Sequence, residues 1–547
     1  MKIPTNLEER ENFYQDLTQK CLVSKEDRKQ DYDSWRSWYL FGNGPDDPPA
    51  HFNKIYPHVD QLISFLYSQE TTRFSVVPGA SVDPREFSKI PALTQAINDK
   101  WHDSNTDTTF GLALTWSMAY ASTFIKLIVM NGQVYPYVIE PKFIGVLRED
   151  SPGTDKQDAF VHIYYITKSE LYRRIYAHPK RDKILERINA MEHPVSDVPE
   201  AVDRIVMSQT TPQMMGNVNL DLYGYNRMRA KVGEETIEMR ELYVWNDDTD
   251  DYQVVTTADP DVVIYDRENE KLFLKGESPI IQVCPNPMPD YFWGMSEVQR
   301  LVSLQQLRNN RMAEILELLK RQVNPPKALY GFTGIFDEKN FALNREGGLL
   351  ASDMPNAKAD VLAPQMPEDL WREIQEIDNM FSEASGITPI AAGRGEQGVR
   401  SAGHASQLAR LGSSRAKKRA LIVEDNLERI ATLYLKVIKE RDRTHYTDTE
   451  GNKFIAEQFT NDFTVKVDAH SNSPIFVENT QALAFALYKA QAIDKEMLVR
   501  ILQPPMEQMI LDKLKHLPPA QQMAPVEHKK EKHGGDGLKA IEGGKSG

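Results

Sequence analysis

The chain of 547 residues contains very little cysteine. Its two cysteines, Cys21 and Cys284, cannot build a disulfide framework, so we expect a protein of a reducing compartment. Long apolar runs are also missing. No stretch of about 18 apolar residues occurs, and residues 1–9 contain no apolar signal core. We therefore predict that the chain has no membrane span and no membrane partner.

The motifs of common enzymes and metal sites are absent too. No Gly-x-x-x-x-Gly-Lys-Ser/Thr loop could cradle phosphates, so the chain is not itself a P-loop ATPase. There is no His-Glu-x-x-His and no cysteine pair at metal spacing, and His528 with His533 is a weak metal signal. We therefore predict that the protein is not an enzyme and binds no metal or cofactor.

The chain also lacks an excess of basic residues. The chain has 65 Lys and Arg against 79 Asp and Glu, a net charge of -14. Tight wrapping of nucleic acid needs a dense basic surface, which this balance argues against. It does not exclude a surface past which nucleic acid slides. The remaining composition is that of a soluble globular protein long enough for two to four domains.

The chain does contain three long helical patterns past its middle. They are predicted over residues 296–323, 368–385 and about 401–441, and the first begins with Ser296 as its cap. At a rise of roughly 1.5 Å per residue the first would span about 42 Å. Such helices are uncommon inside one compact domain. We therefore expect an extended body that packs against copies of itself.

Residues 1–290 predict an α+β region. Helical periodicity covers 5–70, 90–122 and 169–191. Asn131-Gly132 predicts a tight hairpin. The strands are predicted over 124–130, 133–139, 143–147, 160–166, 237–245, 252–256, 262–265 and 280–284. Later, a strand is predicted over 454–468 and helices over 482–502 and 506–514.

A glycine-rich segment, 388–403, separates the second and third long helices. Within it, Gly393–Gly398 matches the dinucleotide-binding fingerprint letter for letter. That motif needs a strand before it and an acidic residue about 20 residues later, whereas here a helix end precedes it and the basic run Arg415–Arg419 follows. A mobile loop is favoured, with a nucleotide-dependent enzyme as an alternative. The basic run could touch phosphates, but a solvated face or an intersubunit ion-pair patch is the commoner role.

The order of these elements resembles that of the tailed-bacteriophage portal proteins, the head-to-tail connectors. The resemblance covers roughly residues 50–515, and its signal lies in the order of motifs that are degenerate one at a time. The motifs are Asn53–Pro57 before an amphipathic helix, Tyr291–Ser296 opening a helix with Gln305, Gln306 and Asn309, Val323–Pro326 entering a small β insert, and Ala490–Asp494 followed by Leu498.

The resemblance implies an α+β, portal-type multidomain subunit that forms a ring. Its parts would be the wing (1–290 and 404–470), the helical stem (291–323 and 368–386), the β-leaning clip (324–367), the tunnel loop (387–403) and the helical crown (471–517). The tail, 518–547, is rich in Gly, Lys, His and Glu without periodicity, and we predict it to be disordered.

The resemblance further implies a homo-oligomer of twelve subunits at one capsid vertex of the virion, assembled in the host cytoplasm. Double-stranded DNA would pass through the ring. The terminase large subunit, then tail or adaptor proteins, would dock on it, and major capsid and scaffolding proteins would surround it. The alternative is a capsid-associated scaffolding or interaction protein without a DNA channel.

The candidate site residues follow from this assignment of parts. The DNA-channel candidates on the tunnel loop are Arg394, Arg400, His404 and Glu396. The docking candidates on the clip are Tyr330, Phe332, Phe336 and Asp353. The stem-packing candidates, which repeat at 4-3-4 spacing as in a packed seam, are Leu370, Ile374, Ile377 and Phe381.

Overall fold

The computed structural model describes most of the chain, with gaps. The described residues are 1–23, 25–45, 52–67, 72–79, 84–151, 153–190, 236–258, 262–323, 325, 327–330, 355–356, 358–361, 367, 369–385, 414–448, 451–458, 463–467, 484–495, 498–499, 510 and 513. They fall into two units, Met1–Ile475 and Phe476–Gly547, and each is described by itself.

Helices dominate the N-terminal 120 residues. They are α1 (Leu7–Leu22), α2 (Lys25–Phe41), α3 (Ile55–Leu66), α4 (Ile90–Asp103) and α5 (Thr106–Tyr120), with strand β1 (Phe74–Pro78) between α3 and α4. The helical character predicted over 90–122 is confirmed, and it is divided between α4 and α5. Asn105 has a φ of 53° and separates α4 from α5. Asparagine tolerates this left-handed conformation better than most residues, so the break has a local cause. The apolar periodicity continues across it and does not reveal it.

The predicted hairpin is confirmed and belongs to a three-stranded sheet. Strands β2 (Thr123–Met130) and β3 (Gln133–Ile139) pair in antiparallel register through Asn131-Gly132. Both turn residues have positive φ, as a tight type I′ turn requires. The later strand in this sheet is β9 (Ile280–Val283), which pairs with β2 to give the order β3-β2-β9.

A second, five-stranded sheet has the order β4-β5-β6-β7-β8 and is antiparallel throughout. Its strands are β4 (Ile144–Val146), β5 (Ala159–Thr167), β6 (Thr236–Asn246), β7 (Asp251–Ala258) and β8 (Val262–Glu268). Helices α6 (Lys168–Arg174) and α7 (Arg181–Asn189) lie between β5 and β6 in the chain. Both lie, to within one residue, in the range 169–191 that is predicted to be helical. A break separates them, because His178 precedes a proline and proline disfavours helical geometry in that residue.

The core of this region lies on both faces of the five-stranded sheet. On one face α1 packs Leu17 and Cys21 against Val161 and Leu242. On the other face Phe160 and other aromatic side chains of the sheet meet Phe124 of β2, together with Phe292 and Trp293. The α+β class predicted for this part of the chain is therefore confirmed.

The long helices are α8 (Glu297–Val323), α9 (Asp369–Ser385) and α10 (Ser414–Arg441). The predicted limits of α8 and α9 are confirmed to within one residue. The Ser296 hydroxyl accepts the backbone N–H of Gln299 at 3.2 Å, so Ser296 caps α8 as predicted. Between α8 and α9 in the chain, β10 (Lys327–Tyr330) pairs with β11 (Lys358–Val361). Residues 401–413 of the third predicted helix lie outside the described residues.

Helix α10 lies inside the unit, where it packs against α3, α4 and β9. Its predicted stripe, which includes Val423, Leu427 and Ile430, is fully buried, and Ala431 and Ile438 on other sides are buried as well. The expectation that such a helix needs copies of the chain to cover it is therefore wrong for α10. The stripe is covered by α3 and α4, more than 300 residues earlier in the chain, and by β9 and the later strand β14 (Phe463–Val467). The Tyr434 and Thr106 hydroxyls, for example, bond at 2.6 Å.

The remaining strands are β12 (His445–Thr447), β13 (Lys453–Ile455) and β14 (Phe463–Val467), and β14 pairs with β1. The strand predicted over 454–468 is thus divided by a short 3-10 turn at Ala456–Gln458. The helix predicted over 482–502 is also interrupted. Gln491 has a φ of 59°, and Ala492 N–H bonds to the Leu487 carbonyl at 2.9 Å, which ends the first helix in a Schellman motif.

A buried ionic cluster joins the two sheets. The Lys126 ammonium of β2 forms an ion pair with Glu241 of β6, and the Tyr243 hydroxyl donates to the same carboxylate at 2.9 Å. His162 of β5 lies opposite Glu241 in the sheet register. Burial, reinforced by the Lys126 charge, lowers the pKa of His162 to about 3, although Glu241 acts in the other direction. Histidine 162 is therefore neutral in the folded protein at any physiological pH.

This depressed pKa predicts that acid destabilises the protein before its carboxylates titrate. Between pH 6.5 and 3 the unfolded chain binds a proton at His162 that the folded chain does not, so the free energy of unfolding falls as the pH falls. The loss from this residue should be about 2 kcal/mol at pH 5 relative to pH 7. Thermal unfolding of His162→Gln between pH 7 and pH 5 should show a correspondingly flatter profile, whereas His445→Gln, at an exposed position, should keep the wild-type profile. Equal slopes for all three proteins would contradict the prediction.

Candidate functional site

Helices α8 and α9 form an antiparallel pair held together by ion pairs. Arg308 Nε lies 3.0 Å from Asp378 Oδ1, and Arg311 Nε lies 2.9 Å from Glu373 Oε1. Because the later residue of α8 meets the earlier residue of α9, the two helices run in opposite directions. The 27 residues of α8 span about 40 Å, so the pair has two well-separated ends.

Polar side chains on the inner face of α8 hold the segment between α2 and α3. Gln305 is fully buried, and its amide accepts Lys54 N–H at 3.0 Å and donates to the Phe52 carbonyl at 3.1 Å. Asn309 donates to the Gly42 carbonyl at 2.7 Å. These residues interrupt the apolar stripe of α8 in the sequence. The structure shows that the interruption is an anchor for the preceding helices.

The predicted stem-packing residues are brought together on one face of α9. Ile374, Ile377 and Phe381 are 6%, 2% and 4% exposed, and Leu370 is half-buried. Helix α9 packs against α8 and α3 of the same chain, and the Phe381 ring lies 6.2 Å from the His58 ring. The seam is thus buried within one subunit. A role in the stem of a ring stays a prediction.

The β10–β11 hairpin follows the far end of the helix pair. Tyr330 pairs with Lys358 in the register, and its side chain is 56% exposed. Of the predicted docking residues, Tyr330 is thus on the surface, while Phe332, Phe336 and Asp353 lie outside the described residues. Their docking role stays a prediction.

The other end of the helix pair is organised around Glu297, in the first turn of α8. This side chain is fully buried. One of its oxygens, Oε2, lies 2.9 Å from Arg419 Nη2 of α10 and 3.5 Å from Arg300 Nη1 of the next turn. The other oxygen lies 3.9 Å from His58 Nε2 of α3, which is too far for a hydrogen bond. Helices α3, α8 and α10 therefore meet at a single carboxylate.

The electrostatics of this cluster favour the ionised carboxylate. Burial by itself would raise the pKa of Glu297, but the positive charges of Arg419 and Arg300 hold the pKa below its ordinary value. The ion pair with Arg419 also corrects the interpretation of the basic run Arg415–Arg419. At least its last residue is neither solvated nor paired with another subunit, because it is 7% exposed and bonded within its own chain.

Sequence reasoning did not find Glu297, Arg419 or His58 as a group. A glutamate in the first turn of a helix is an ordinary surface residue, and its partner Arg419 lies 122 residues later in the chain. The tunnel-loop candidates Arg394, Arg400, His404 and Glu396 lie outside the described residues, as does the Gly393–Gly398 motif. Their roles stay predictions.

A comparison with protein families identifies the family of this chain. The model of the family described as phage SU10 portal protein matches residues 92–514, which is more than three quarters of the chain. This chain belongs to that family of phage portal proteins. The match includes the three-stranded and five-stranded sheets, both ends of the helix pair and α10. No curated protein matches the chain significantly.

Family membership confirms the portal resemblance predicted from the sequence. Portal proteins are structural components, and the family implies an oligomeric ring at a capsid vertex of the phage head. Over the described part of the chain, no helix combines the length and the apolar character needed to cross a membrane. In the same residues no group of three or more His, Cys, Asp or Glu is placed to hold a metal ion.

Proposed function

We propose that this portal protein forms a ring of twelve subunits around a channel through which the double-stranded DNA genome is packaged and later ejected. The observation that carries the proposal is the antiparallel pair of α8 and α9. It has a β-hairpin insert at one end and the two ends of a glycine-rich segment at the other. In a portal subunit these features correspond to the stem, the clip and the tunnel loop.

The ion pairs of α8 and α9 fit a rigid channel wall. Two cross-helix ion pairs, Arg308–Asp378 and Arg311–Glu373, fix the register of α8 and α9. A third, between Lys54 and Asp378 at 3.1 Å, ties the pair to the N-terminal region. Glu297 ties it to α10. Force applied along the stem is therefore transmitted to the sheets of the wing.

The charge of the chain fits a conduit. Each subunit carries a net charge of -14, so a closed ring presents a largely acidic body that repels the phosphate backbone and keeps DNA from adhering. Basic residues then guide the DNA locally, and Arg394 and Arg400 with His404 and Glu396 are the proposed channel contacts. Because the chain lacks a P-loop, the work of packaging falls to a separate terminase ATPase.

The proposed partners dock at the ends of the helix pair in succession. The terminase large subunit binds the clip, 324–367, during packaging in the host cytoplasm, and tail or adaptor proteins replace it in the virion. Major capsid and scaffolding proteins contact the wing. Tyr330, exposed on the described hairpin, is a docking candidate together with Phe332, Phe336 and Asp353.

Replacing residues 331–357 by a Gly/Ser linker should leave the ring intact and abolish DNA packaging. The retained β10–β11 pairing closes the insert, so the linker removes a docking surface without disturbing α8 or α9. Negative-stain microscopy should show rings with an axial hole for wild type and variant alike. Nuclease-protected DNA in infected cells should be lost only in the variant.

The matched control is an equally long Gly/Ser linker inserted in the exposed β6–β7 turn, between Asp248 and Thr249, which should leave packaging at the wild-type level. Normal packaging by the 331–357 replacement would exclude residues 331–357 as the docking site. Wild-type protein that assembles without an axial hole would exclude the channel and favour a scaffolding role instead.

A further inference from the structure

The most basic stretch of this acidic chain lies between Glu396 and Glu424. The 27 residues 397–423 contain six cations but no Asp or Glu. They are Arg400, Arg410, Arg415, Lys417, Lys418 and Arg419. In a chain of net charge -14, such a segregation of one sign indicates a local anionic partner.

The described end of this stretch lines a cavity of about 450 Å³. The cavity is bounded by the loop Pro285–Met288, the first turns of α8, the end of α9 at Ala384 and the first turns of α10. Its size falls within the range of roughly 300–1,000 Å³ usual for ligand pockets. Because Ala384 and Lys418 both line it, the cavity lies where the chain leaves α9 and re-enters α10, at the base of segment 386–413.

The described lining of the cavity is cationic. Its described lining includes three cations, Arg300, Lys418 and Arg419, and no carboxylate. Glu297 does not line the cavity, but its Oε2 forms ion pairs with Arg419, at 2.9 Å, and with Arg300, at 3.5 Å. Of the three cations in the described lining, the exposed Lys418 makes no ion pair in the described structure. An anion can reach these cations, since Lys418 is exposed and Arg300 is 43% exposed.

A buried donor beside the cavity lacks an acceptor. Asn286 is only 8% exposed, and its Nδ2 has no hydrogen-bond partner among the described residues. Buried side-chain donors in folded proteins are nearly always bonded, and an unpaired one costs about 1–3 kcal/mol. Asn286 lines the same cavity as Arg300 and Lys418, so an anion held by these cations lies close to this donor.

We propose that this cavity binds a phosphate group of the DNA backbone at the base of segment 386–413. The inference rests on the proposed function, which brings DNA to this end of the helix pair. The geometry points to phosphate because two arginines, a lysine and an asparagine with an unpaired amide Nδ2 line one cavity. Guanidinium forks match the oxygens of a phosphate with paired hydrogen bonds. A free phosphate ion offers the same chemistry, so the test separates the two sources.

The test measures binding of a short fluorescein-labelled DNA duplex to the full-length ring over a series of KCl concentrations. The variants are Lys418→Ala alone and combined with Arg300→Ala. Each phosphate contact that is lost should reduce the slope of log K against log salt by about 0.9. The double variant should bind about tenfold more weakly at moderate salt. Lys418→Arg keeps the charge and should bind like wild type.

The matched control removes the same two charges elsewhere. Lys180→Ala with Lys183→Ala, at exposed positions beside and on α7, should leave the slope unchanged. The effect of inorganic phosphate on the melting temperature is measured in parallel for wild type and the double variant. If phosphate stabilises wild type more than the double variant while the two duplex slopes are equal, the cavity is a free-phosphate site and its assignment to DNA is overturned.

The remaining outcomes separate the inference from the proposed function. If the double variant matches wild type in both assays while wild type forms rings and binds the duplex, the inference fails and the channel stands. If wild type binds no duplex at low salt and its rings package no DNA, both fail together. A reduced slope in the double variant, with wild-type slopes for the control pair and for Lys418→Arg, establishes the site.

Discussion

Replacing both Ile374 and Ile377 by aspartate is expected to prevent folding of the subunit and not only assembly of its ring. The two isoleucines are 6% and 2% exposed, and they pack against α8 and α3 of their own chain. Each substitution removes apolar contacts and places an unpaired carboxylate in the seam, so the combined cost should exceed about 5 kcal/mol. Circular dichroism and native mass spectrometry of the purified protein would show lost helix content and no ring.

The control for this variant adds the same two charges to the exposed face of α9. Gln375→Asp with Asn379→Asp should keep the melting temperature within a few degrees of wild type and preserve the ring. If the Ile374/Ile377 variant still folds as a monomer with native helix content, the seam belongs to the contact between subunits. The burial of α9 within the chain would then have to be revised.

Glu297→Gln should be the most damaging single isosteric change on α8. The amide keeps the shape of the side chain but removes the charge that Arg419, 7% exposed, depends on. Leaving one partner of a buried ion pair uncompensated costs about 3–5 kcal/mol. Urea unfolding should therefore show a large shift of the midpoint to lower urea, without a change of slope.

Two further variants show whether burial is the cause. Glu317→Gln lies on the same helix, where its carboxylate pairs with Arg321 in solvent, and it should cost less than about 1 kcal/mol. Adding Arg419→Met to Glu297→Gln removes the uncompensated charge and should restore a substantial part of the stability. If Glu317→Gln proves as damaging as Glu297→Gln, the cluster does not hold the helices together.

The helix and hairpin limits were predictable because their causes are local. Ser296 caps α8, Pro325 and Pro326 follow its end, and Gly386 follows α9. Each limit therefore depends on a few adjacent residues. Asn131-Gly132 sets the β2–β3 register in the same way. Breaks inside helical patterns were missed because the apolar periodicity continues through Asn105, and only the backbone conformation interrupts it.

The candidate site was only partly predictable, because its chemistry depends on distant contacts. The apolar seam on α9 was found from its 4-3-4 spacing, since periodicity reports which face of a helix is apolar. Glu297, His58 and Arg419 have no common signal, because their separations along the chain correspond to no repeat. The channel contacts Arg394 and Arg400 were named through the portal resemblance, and they stay predictions.

By itself, the sequence determined the class of this protein. The order of long helices, β insert and glycine-rich segment was sufficient to indicate a portal protein, and the family match over residues 92–514 confirms it. Only the tertiary structure decided what covers each long helix. Apolar spacing shows that a face is buried but not by which partner, and α10 is covered by α3, α4 and β9 of its own chain. Only the tertiary structure, too, gathered Arg300, Lys418 and Arg419 around one cavity, because charges distant in sequence combine only when the fold brings them within a few ångströms.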